Sequence, residues 1–138
     1  MDIKELRIGN LVRLEEGEET EQQVDYLNAD SECVGLFGNA IINSITDIEG
    51  IPLTDKWVIR MGFKKVDYPV YVMYVISVGD FELEYRIHKK RGSIELYLVG
   101  NGLYDERGET DLTDICKYVH SLQNVYFALT GKELQIAD

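Results

Sequence analysis

The sequence contains few of the residues that mark exported, disulfide-rich or membrane-spanning proteins. Its 138 residues include only 2 Cys and 2 Pro. Cys33 and Cys116 lie far apart and form no CxxC pair, so the simplest interpretation is two buried, reduced thiols. The first residues hold no apolar run of signal-peptide length, and no stretch approaches the ~20 apolar residues of a membrane span. We therefore expect a cytoplasmic protein.

Positive charge is scarce as well. The chain has 14 Lys and Arg residues against 25 Asp and Glu residues, for a formal charge of −11. A field of this sign repels nucleic acid and anionic lipid, and it attracts a basic partner surface. The composition therefore favours a protein partner and predicts neither a nucleic-acid partner nor a membrane partner. It indicates no oligomeric state.

The motifs of the common catalytic classes are missing. The sequence contains no G-x-G-x-x-G, G-x-x-x-x-G-K-[ST], G-x-S-x-G or H-E-x-x-H. The only histidines are His88 and His120, which leaves few ways to build general acid–base chemistry. We predict no enzyme activity, no cofactor and no metal.

Two charged runs resemble exposed turns more than ion sites. The run EEGEETE at 15–21 and the run DERGETD at 105–111 lack the Asp/Asn periodicity of a calcium loop, and each contains a glycine. A basic cluster lies at a predicted hairpin tip, and it consists of Arg86, His88, Lys89, Lys90 and Arg91. Since no aromatic residues are interleaved with it, it is weak support for nucleic-acid binding.

The length fits a single domain spanning residues 1–138, and the pattern of elements is α+β. Short apolar runs near 11–14, 24–27 and 33–37 are separated by Gly, Asn and Asp. They predict a small, strongly bent antiparallel sheet with an SH3-like shape. This is the N-terminal β portion of the predicted fold.

A short helix is predicted within IPLTDKWVIRMGF. Thr54 is a natural N-cap, and Gly62 supplies the left-handed residue that ends the helix. In that geometry Phe63 folds back on Val58 in a Schellman stop. These signals concern the structure of the helix and indicate no chemical function.

A three-stranded antiparallel meander follows. Val70–Val78 is apolar on both faces and predicts a central strand. In the next strand the apolar residues Phe81, Leu83, Tyr85 and Ile87 face inward, and Glu82, Glu84, Arg86 and His88 face outward. The run 93–99 completes the meander, and the polar segment 104–114 is predicted to be a surface loop.

A C-terminal helix that stops at Gly131 is predicted to pack on the sheet. Its apolar face comprises Ile115, Tyr118, Val119, Leu122, Val125, Tyr126 and Leu129. A second stripe carries Cys116, His120, Gln123 and Phe127, with Asn124 beside it.

The second stripe has three interpretations. Cys116 and His120 are four residues apart, as two zinc ligands or a nucleophile and its base would be, although the remaining ligands, Cys33 and His88, would come from distant strands. In the favoured interpretation, Gln123 and Asn124 satisfy loop or strand backbone and His120 holds a neighbouring segment. The third interpretation is a partner-binding surface formed by His120, Gln123, Asn124 and Phe127.

Three segments resemble the marks of a known family. ELRIGNLV near the start, IPLTDKWVIRMGF in the middle and VHSLQNVYFALTGKEL at the end are similar to motifs of small proteins from Bacteroidetes genomes, their phages and mobile elements. The segments occur in the same order and cover about a third of the residues. The resemblance implies a cytoplasmic protein of bacterial or phage origin, and it transfers no activity and no site residue.

The sequence as a whole predicts an α+β domain that acts as a non-enzymatic protein-binding or accessory module. One alternative is an acidic mimic of nucleic acid that inhibits a host DNA-binding protein. A lesser alternative is a small enzyme or metal protein that uses Cys116 and His120 together with Gln123.

Overall fold

The computed structural model describes residues 1–15, 21–100 and 108–138. The chain forms two compact units: unit 1 contains Met1–Pro52 and Tyr118–Asn124, and unit 2 contains Leu53–Lys117 and Val125–Asp138. Each unit has an antiparallel five-stranded sheet. The α+β class is therefore confirmed. That the whole chain is one domain stays a prediction.

The sheet of unit 1 has short strands that follow one another along the chain. They are β1 (Leu11–Leu14), β2 (Gln22–Asn28), β3 (Cys33–Leu36), β4 (Ile42–Ser44) and β5 (Ile48–Glu49). Their order in the sheet is β4-β3-β2-β1-β5, so that β1 pairs with both β2 and β5. A 3-10 helix, Ile45–Asp47, connects β4 to β5, and another, Ile3–Glu5, precedes β1. The first three strands lie where the sequence predicts them.

The core of unit 1 follows from the alternation of its strands. Every second side chain of a strand points to one face, and the inward positions here are aliphatic. The buried cluster consists of Ile3, Leu6, Val12, Val24, Val34, Leu36, Ile45 and Ile48. Both 3-10 helices contribute to it, because each has an isoleucine as its first residue.

Helix α1 (Asp55–Arg60) belongs to unit 2 and ends as predicted. Gly62 has φ +89°, Phe63 N donates to Val58 O at 3.0 Å, and Gly62 N donates to Ile59 O at 3.0 Å. These two bonds define a Schellman motif. Thr54 occupies the N-cap with extended backbone but makes no side-chain capping hydrogen bond. Packing of the fully buried Val58 therefore stabilises the helix more than its N-cap does.

The sheet of unit 2 has five strands where the sequence predicts three. They are β6 (Lys64–Asp67), β7 (Tyr71–Val78), β8 (Phe81–His88), β9 (Ile94–Gly100) and β10 (Glu109–Asp111), in the order β10-β9-β8-β7-β6. The prediction of a loop over 104–114 is wrong for β10, which pairs with β9 from Glu109↔Val99 to Asp111↔Tyr97. Both unpredicted strands are short and polar, so they carry no alternation that a sequence pattern reveals.

The predicted facing of β8 is wrong at two positions. Glu84 is buried, with 3% of its surface exposed, whereas Phe81 is 46% exposed. Glu84 tolerates burial because Arg86 donates two hydrogen bonds to its Oε1, at 3.2 and 2.7 Å. The alternation predicts that Glu84 faces solvent. In the structure its carboxylate is instead compensated by the Arg86 guanidinium in a buried ion pair.

Helix α2 (Val119–Thr130) ends at Gly131, which has φ +70°. Its predicted apolar face is only partly buried: Val119 and Leu122 are fully buried, while Leu129 is 40% exposed. Ile115, Cys116 and Tyr118 precede the helix, so the helical wheel does not apply to them. The prediction that Ile115 belongs to a packed face is wrong, since its side chain is 64% exposed.

Across the described parts of the chain, neither α1 nor α2 has the length and apolar character required to cross a bilayer.

Candidate functional site

Gln123 and Asn124, at the centre of α2, bind the backbone and side chains of the segment that precedes β1. Gln123 Oε1 accepts a hydrogen bond from Leu11 N at 2.9 Å, and its Nε2 donates to Gly9 O at 3.3 Å. Gln123 is 4% exposed, so its amide is satisfied inside unit 1. We call this pair of side chains with residues 5–11 the amide latch.

Asn124 makes more hydrogen bonds in the amide latch than Gln123 does. Its Oδ1 accepts from Arg7 Nε at 2.9 Å and from Asn10 Nδ2 at 2.8 Å, and its Nδ2 donates to Glu5 O at 2.7 Å. Asn10 is completely buried and its Oδ1 accepts from Arg7 N at 2.7 Å. The amide latch joins the LRIGN and HSLQN segments, two of the marks that carry the family resemblance. The predicted structural role of Gln123 and Asn124 is confirmed.

His120 lies in unit 1 with 1% of its surface exposed. Its ring stacks on Tyr118 with a centroid distance of 5.5 Å and an interplanar angle of 7°. Gly50 permits this approach, because a Cβ there would lie 2.7 Å from the Tyr118 ring and 3.0 Å from His120 Cε1. With so little of its surface exposed, His120 is poorly placed to exchange a proton with a substrate.

Both ring nitrogens of His120 are without a hydrogen-bond partner among the residues that the structure describes. Nε2 lies 3.7 Å from Glu5 Oε2, which is too long for a hydrogen bond. Burial lowers the pKa of His120, and the nearby Glu5 carboxylate opposes that effect. The neutral imidazole is the form that this environment favours.

The second stripe of the sequence prediction therefore divides. His120 and Gln123 are interior side chains, Asn124 is a half-buried member of the amide latch, and Phe127 is 37% exposed. A partner-binding role for these four residues stays a prediction.

Cys116 does not extend the stripe. It precedes the first residue of α2, so the assumed i, i+4 relation to His120 on one helix is wrong. It lines a cavity of about 200 Å³ in unit 2 together with Leu53, Tyr85, Ile94, Leu96, Thr113 and Lys117. Burial raises the pKa of the Cys116 thiol to about 12, so it is protonated and weakly nucleophilic at neutral pH.

Within residues 1–15, 21–100 and 108–138, no group of three or more His, Cys, Asp or Glu side chains is arranged to hold a metal ion. Most of the EEGEETE run, residues 16–20, lies outside the described residues, as do residues 105–107 of the DERGETD run. Of the second run, Glu109–Asp111 form β10.

The predicted basic cluster is only partly a free cationic surface. Arg86 lies within the sheet and bridges Glu84 and Glu109, the latter at 2.9 Å. Burial lowers the pKa of Arg86, but the hydrogen bonds with both carboxylates outweigh this and raise it. At the hairpin tip, His88 Nε2 lies 3.1 Å from Glu95 Oε1, and Lys89 Nζ lies 2.6 Å from Asp67 Oδ1. Arg86 and Lys89 thus balance carboxylates of the same sheet, and His88 contacts another.

A surface that the sequence does not reveal lies on the outer side of unit 1. In the sheet register Tyr26, Gly35 and Ile42 are opposite one another on β2, β3 and β4. Opposite residues of antiparallel strands point to the same face. Tyr26 is 43% exposed, Ile42 is 57% exposed, and Phe37, which directly follows β3, is 72% exposed. We call Tyr26, Gly35, Phe37 and Ile42 the outer apolar face.

A β-bulge adds a carboxylate to this face. The β2–β3 register shifts between Val24 and Tyr26, which leaves Asp25 as the extra residue. A Cβ built on Gly35 would lie 2.8 Å from Tyr26 Cβ and 2.9 Å from Asp25 Oδ1. Both side chains therefore lie over Gly35, and the outer apolar face has an exposed carboxylate at its centre.

Comparison of the chain with protein-family models, with curated proteins and with solved structures finds no match.

Proposed function

We propose that the protein is a non-enzymatic binding or accessory module that acts through a protein partner. The observation that carries this proposal is the outer apolar face, where Tyr26 on β2, Ile42 on β4 and Phe37 directly after β3 expose large apolar side chains. Grouped exposure of this kind marks interaction surfaces, whereas scattered apolar residues do not. Aromatic and aliphatic anchors beside polar groups are typical of protein interfaces.

Unit 1 belongs, in this proposal, to the SH3-like class. Two observations support it: β1 to β4 pair consecutively and antiparallel while β1 also pairs with β5, and a 3-10 helix lies directly before β5. Both features are characteristic of small SH3-like barrels. This is an analogy of fold, and folds of this class host many functions.

The proposed setting is the cytoplasm of a bacterium or of a phage-infected cell. It rests on the resemblance of the LRIGN, IPLT and HSLQN segments to proteins of Bacteroidetes and their mobile elements. Two of these segments, ELRIGNLV and VHSLQNVYFALTGKEL, are joined by the amide latch.

Cross-linking in cells that express the protein at native level tests the proposed function. We expect the wild-type chain to give a specific cross-linked protein, identified by mass spectrometry. The double variant Phe37→Ser with Ile42→Ser should lose that product by at least tenfold, since it removes exposed anchors and no core residue.

A matched variant, Ile59→Ser with Phe81→Ser, removes two exposed apolar side chains from unit 2, which are 54% and 46% exposed in the native chain. It should retain the product. Recovery of no protein partner by the wild type, or equal loss in the two variants, would contradict the proposal.

The acidic-mimic alternative has one observation in its favour. Residues 14–55 contain eleven Asp and Glu residues and no Lys, Arg or His. If the protein mimics nucleic acid, it should displace labelled duplex DNA from a bacterial HU-type protein at low salt. Absence of displacement at a tenfold excess of the protein would remove this alternative.

The enzyme alternative has little support in the geometry. The thiol of Cys116 is protonated at neutral pH, and His120 is 1% exposed with neighbours that exclude a substrate. We therefore base no reaction on these residues.

A further inference from the structure

We infer that the occupant of the outer apolar face is an extended, Lys- or Arg-containing segment of the partner that pairs with the open edge of β4. This inference rests on the proposed function and specifies the chemistry of its ligand. Three observations carry it: the open backbone edge of β4, the carboxylate over Gly35 and the charge of the surrounding chain.

Among the described residues, β4 has one backbone edge without a neighbouring strand. Ile45 N donates to Glu32 O at 2.8 Å, and the register continues through Cys33↔Ser44, Val34↔Asn43 and Gly35↔Ile42. Bonded and non-bonded pairs alternate in an antiparallel ladder, so Asn43 bonds to β3 while the amides of Ile42 and Ser44 point away from it. Over the described residues, β4 is a terminal strand of its sheet. Such an edge binds extended peptides.

The distance from this edge to Asp25 matches a long basic side chain. Strands lie about 4.8 Å apart, so a strand added beside β4 would be about 10 Å from β3. A Lys or Arg side chain reaches about 6–7 Å, and a hydrogen bond of about 3 Å closes the rest of that distance. The apolar stem would pass over Ile42, and the charged head would reach the Asp25 carboxylate above Gly35.

Tyr26 completes the site for a cation. Its ring lies beside Asp25 over Gly35, and the exposed face of a tyrosine ring attracts a Lys or Arg head group. Its hydroxyl accepts a hydrogen bond from Asn28 Nδ2 at 3.2 Å, which helps to fix the ring. Asp25 has no cationic partner of its own among the described residues.

The negative charge of the chain disfavours a second copy of the protein as the occupant of the β4 edge. From residue 14 to residue 55 the only charged side chains are eleven carboxylates. Pairing β4 with β4 of another copy would bring two such tracts together, and like charges across an interface are strongly unfavourable. The same tract attracts a basic segment, which supports the heterologous occupant.

Three labelled eight-residue peptides test the inference by fluorescence anisotropy. They alternate Val with Lys, Val with Ser, or Val with Glu, and they have blocked termini. We expect the Lys peptide to bind at least tenfold more tightly than the Ser peptide, and the Glu peptide not to bind. Equal affinity for the Lys and Ser peptides, or no binding of the Lys peptide at 1 mM, would overturn the inference. The cross-linking result for the proposed function would be unaffected.

Two matched pairs of variants locate the site. Asp25→Asn should weaken binding of the Lys peptide at least fivefold, while Asp114→Asn, which removes an exposed charge from unit 2, should change it less than twofold. Equal effects would mean that the peptide responds only to net charge, and would refute a specific role of Asp25.

The backbone edge is tested at Ser44, whose φ of −68° already suits proline. Ser44→Pro removes the outward amide and the hydroxyl, and Ser44→Ala removes only the hydroxyl, which accepts from Thr46 N at 3.3 Å. We expect Ser44→Pro to weaken binding at least tenfold and Ser44→Ala less than twofold. If Ser44→Pro does not fold, a Lys peptide N-methylated at alternate residues gives the same test on the native protein.

Equal binding by both Ser44 variants, or unimpaired binding of the methylated peptide, would exclude strand pairing. Sedimentation of the wild-type chain as a dimer that Ser44→Pro dissociates would identify a second copy as the occupant, and would also overturn the inference.

Discussion

Different kinds of polar interaction stabilise the two units, each of which has one five-stranded sheet. In unit 1 most contacts of the amide latch join neutral groups, because the amides of Gln123 and Asn124 bind the backbone of residues 5–11. Asn124 also accepts a hydrogen bond from the Arg7 guanidinium. In unit 2 the sheet carries charges in its interior, with Glu84 and Arg86 side chains only 4% and 14% exposed. Neutral amides lose less solvation on burial than ions, and ions couple more strongly to one another.

The two units also differ in how their carboxylates are paired. Several carboxylates of unit 2, namely Asp67, Glu84, Glu95 and Glu109, have a basic side chain within 3.1 Å. In unit 1 the charged pair Arg13 and Glu49, at 2.5 Å, is a partly exposed contact. Unit 2 thus pairs several of its carboxylates within its sheet, whereas carboxylates such as Asp25 and Asp30 lie exposed on unit 1.

Removing one member of the buried pair in unit 2 should have the largest effect. Arg86→Met leaves Glu84 buried without its cation, which should lower the free energy of unfolding by about 3 kcal/mol. Urea denaturation followed by circular dichroism measures the change. Lys89→Met, which breaks the exposed pair with Asp67, should have no measurable effect. Similar losses in both variants would show that burial is not what gives the Glu84–Arg86 pair its importance.

The amide latch provides the corresponding test in unit 1. Asn124→Ala removes three hydrogen bonds and leaves the buried Asn10 amide without an acceptor, so we expect a loss of about 2 kcal/mol. Because the groups are mostly neutral, the loss should be the same in low salt and in 1 M NaCl. Gln135→Ala is the exposed control. A salt-dependent loss would contradict the contrast between the two units.

The smallest effect concerns His120 and pH. In the folded state, burial holds the pKa of His120 below the ordinary value of about 6.5. Just below that pH the imidazole of the folded protein stays neutral, whereas that of the unfolded chain takes up a proton. The free energy of unfolding should therefore decrease as pH falls below about 6.5, by at most about 1.4 kcal/mol per pH unit. In His120→Phe this component should disappear. Urea titrations at pH 5, 6 and 7 measure the slope, and an unchanged slope in the variant would exclude His120 as its source.

Features with a local physical cause were predictable from the sequence. Gly62 and Gly131 end helices because each adopts positive φ, and the short strands of unit 1 follow runs bounded by turn residues. The role of Gln123 and Asn124 was also predictable, since amides on a partly buried helix need backbone partners. What they bind was not, because the partners are more than 110 residues away.

The features that depend on neighbouring strands were missed. β6 and β10 are polar at most positions and exist through pairing with β7 and β9. Glu84 is buried because Arg86 accompanies it, which period-two alternation does not encode. The outer apolar face depends on a one-residue bulge at Asp25, and nothing in the local sequence marks that shift of register.

The amide latch also sets an order of events during synthesis. The segment around Gly9 and Asn10 leaves the ribosome long before Gln123 and Asn124, so its hydrogen bonds to these two side chains cannot form while most of the chain is being made. Contacts of such sequence separation are slow to form and leave earlier segments exposed. Unit 1 is therefore completed only after the strands of unit 2 have been translated, and a chain stalled before Gln123 would lack the hydrogen bonds of the amide latch.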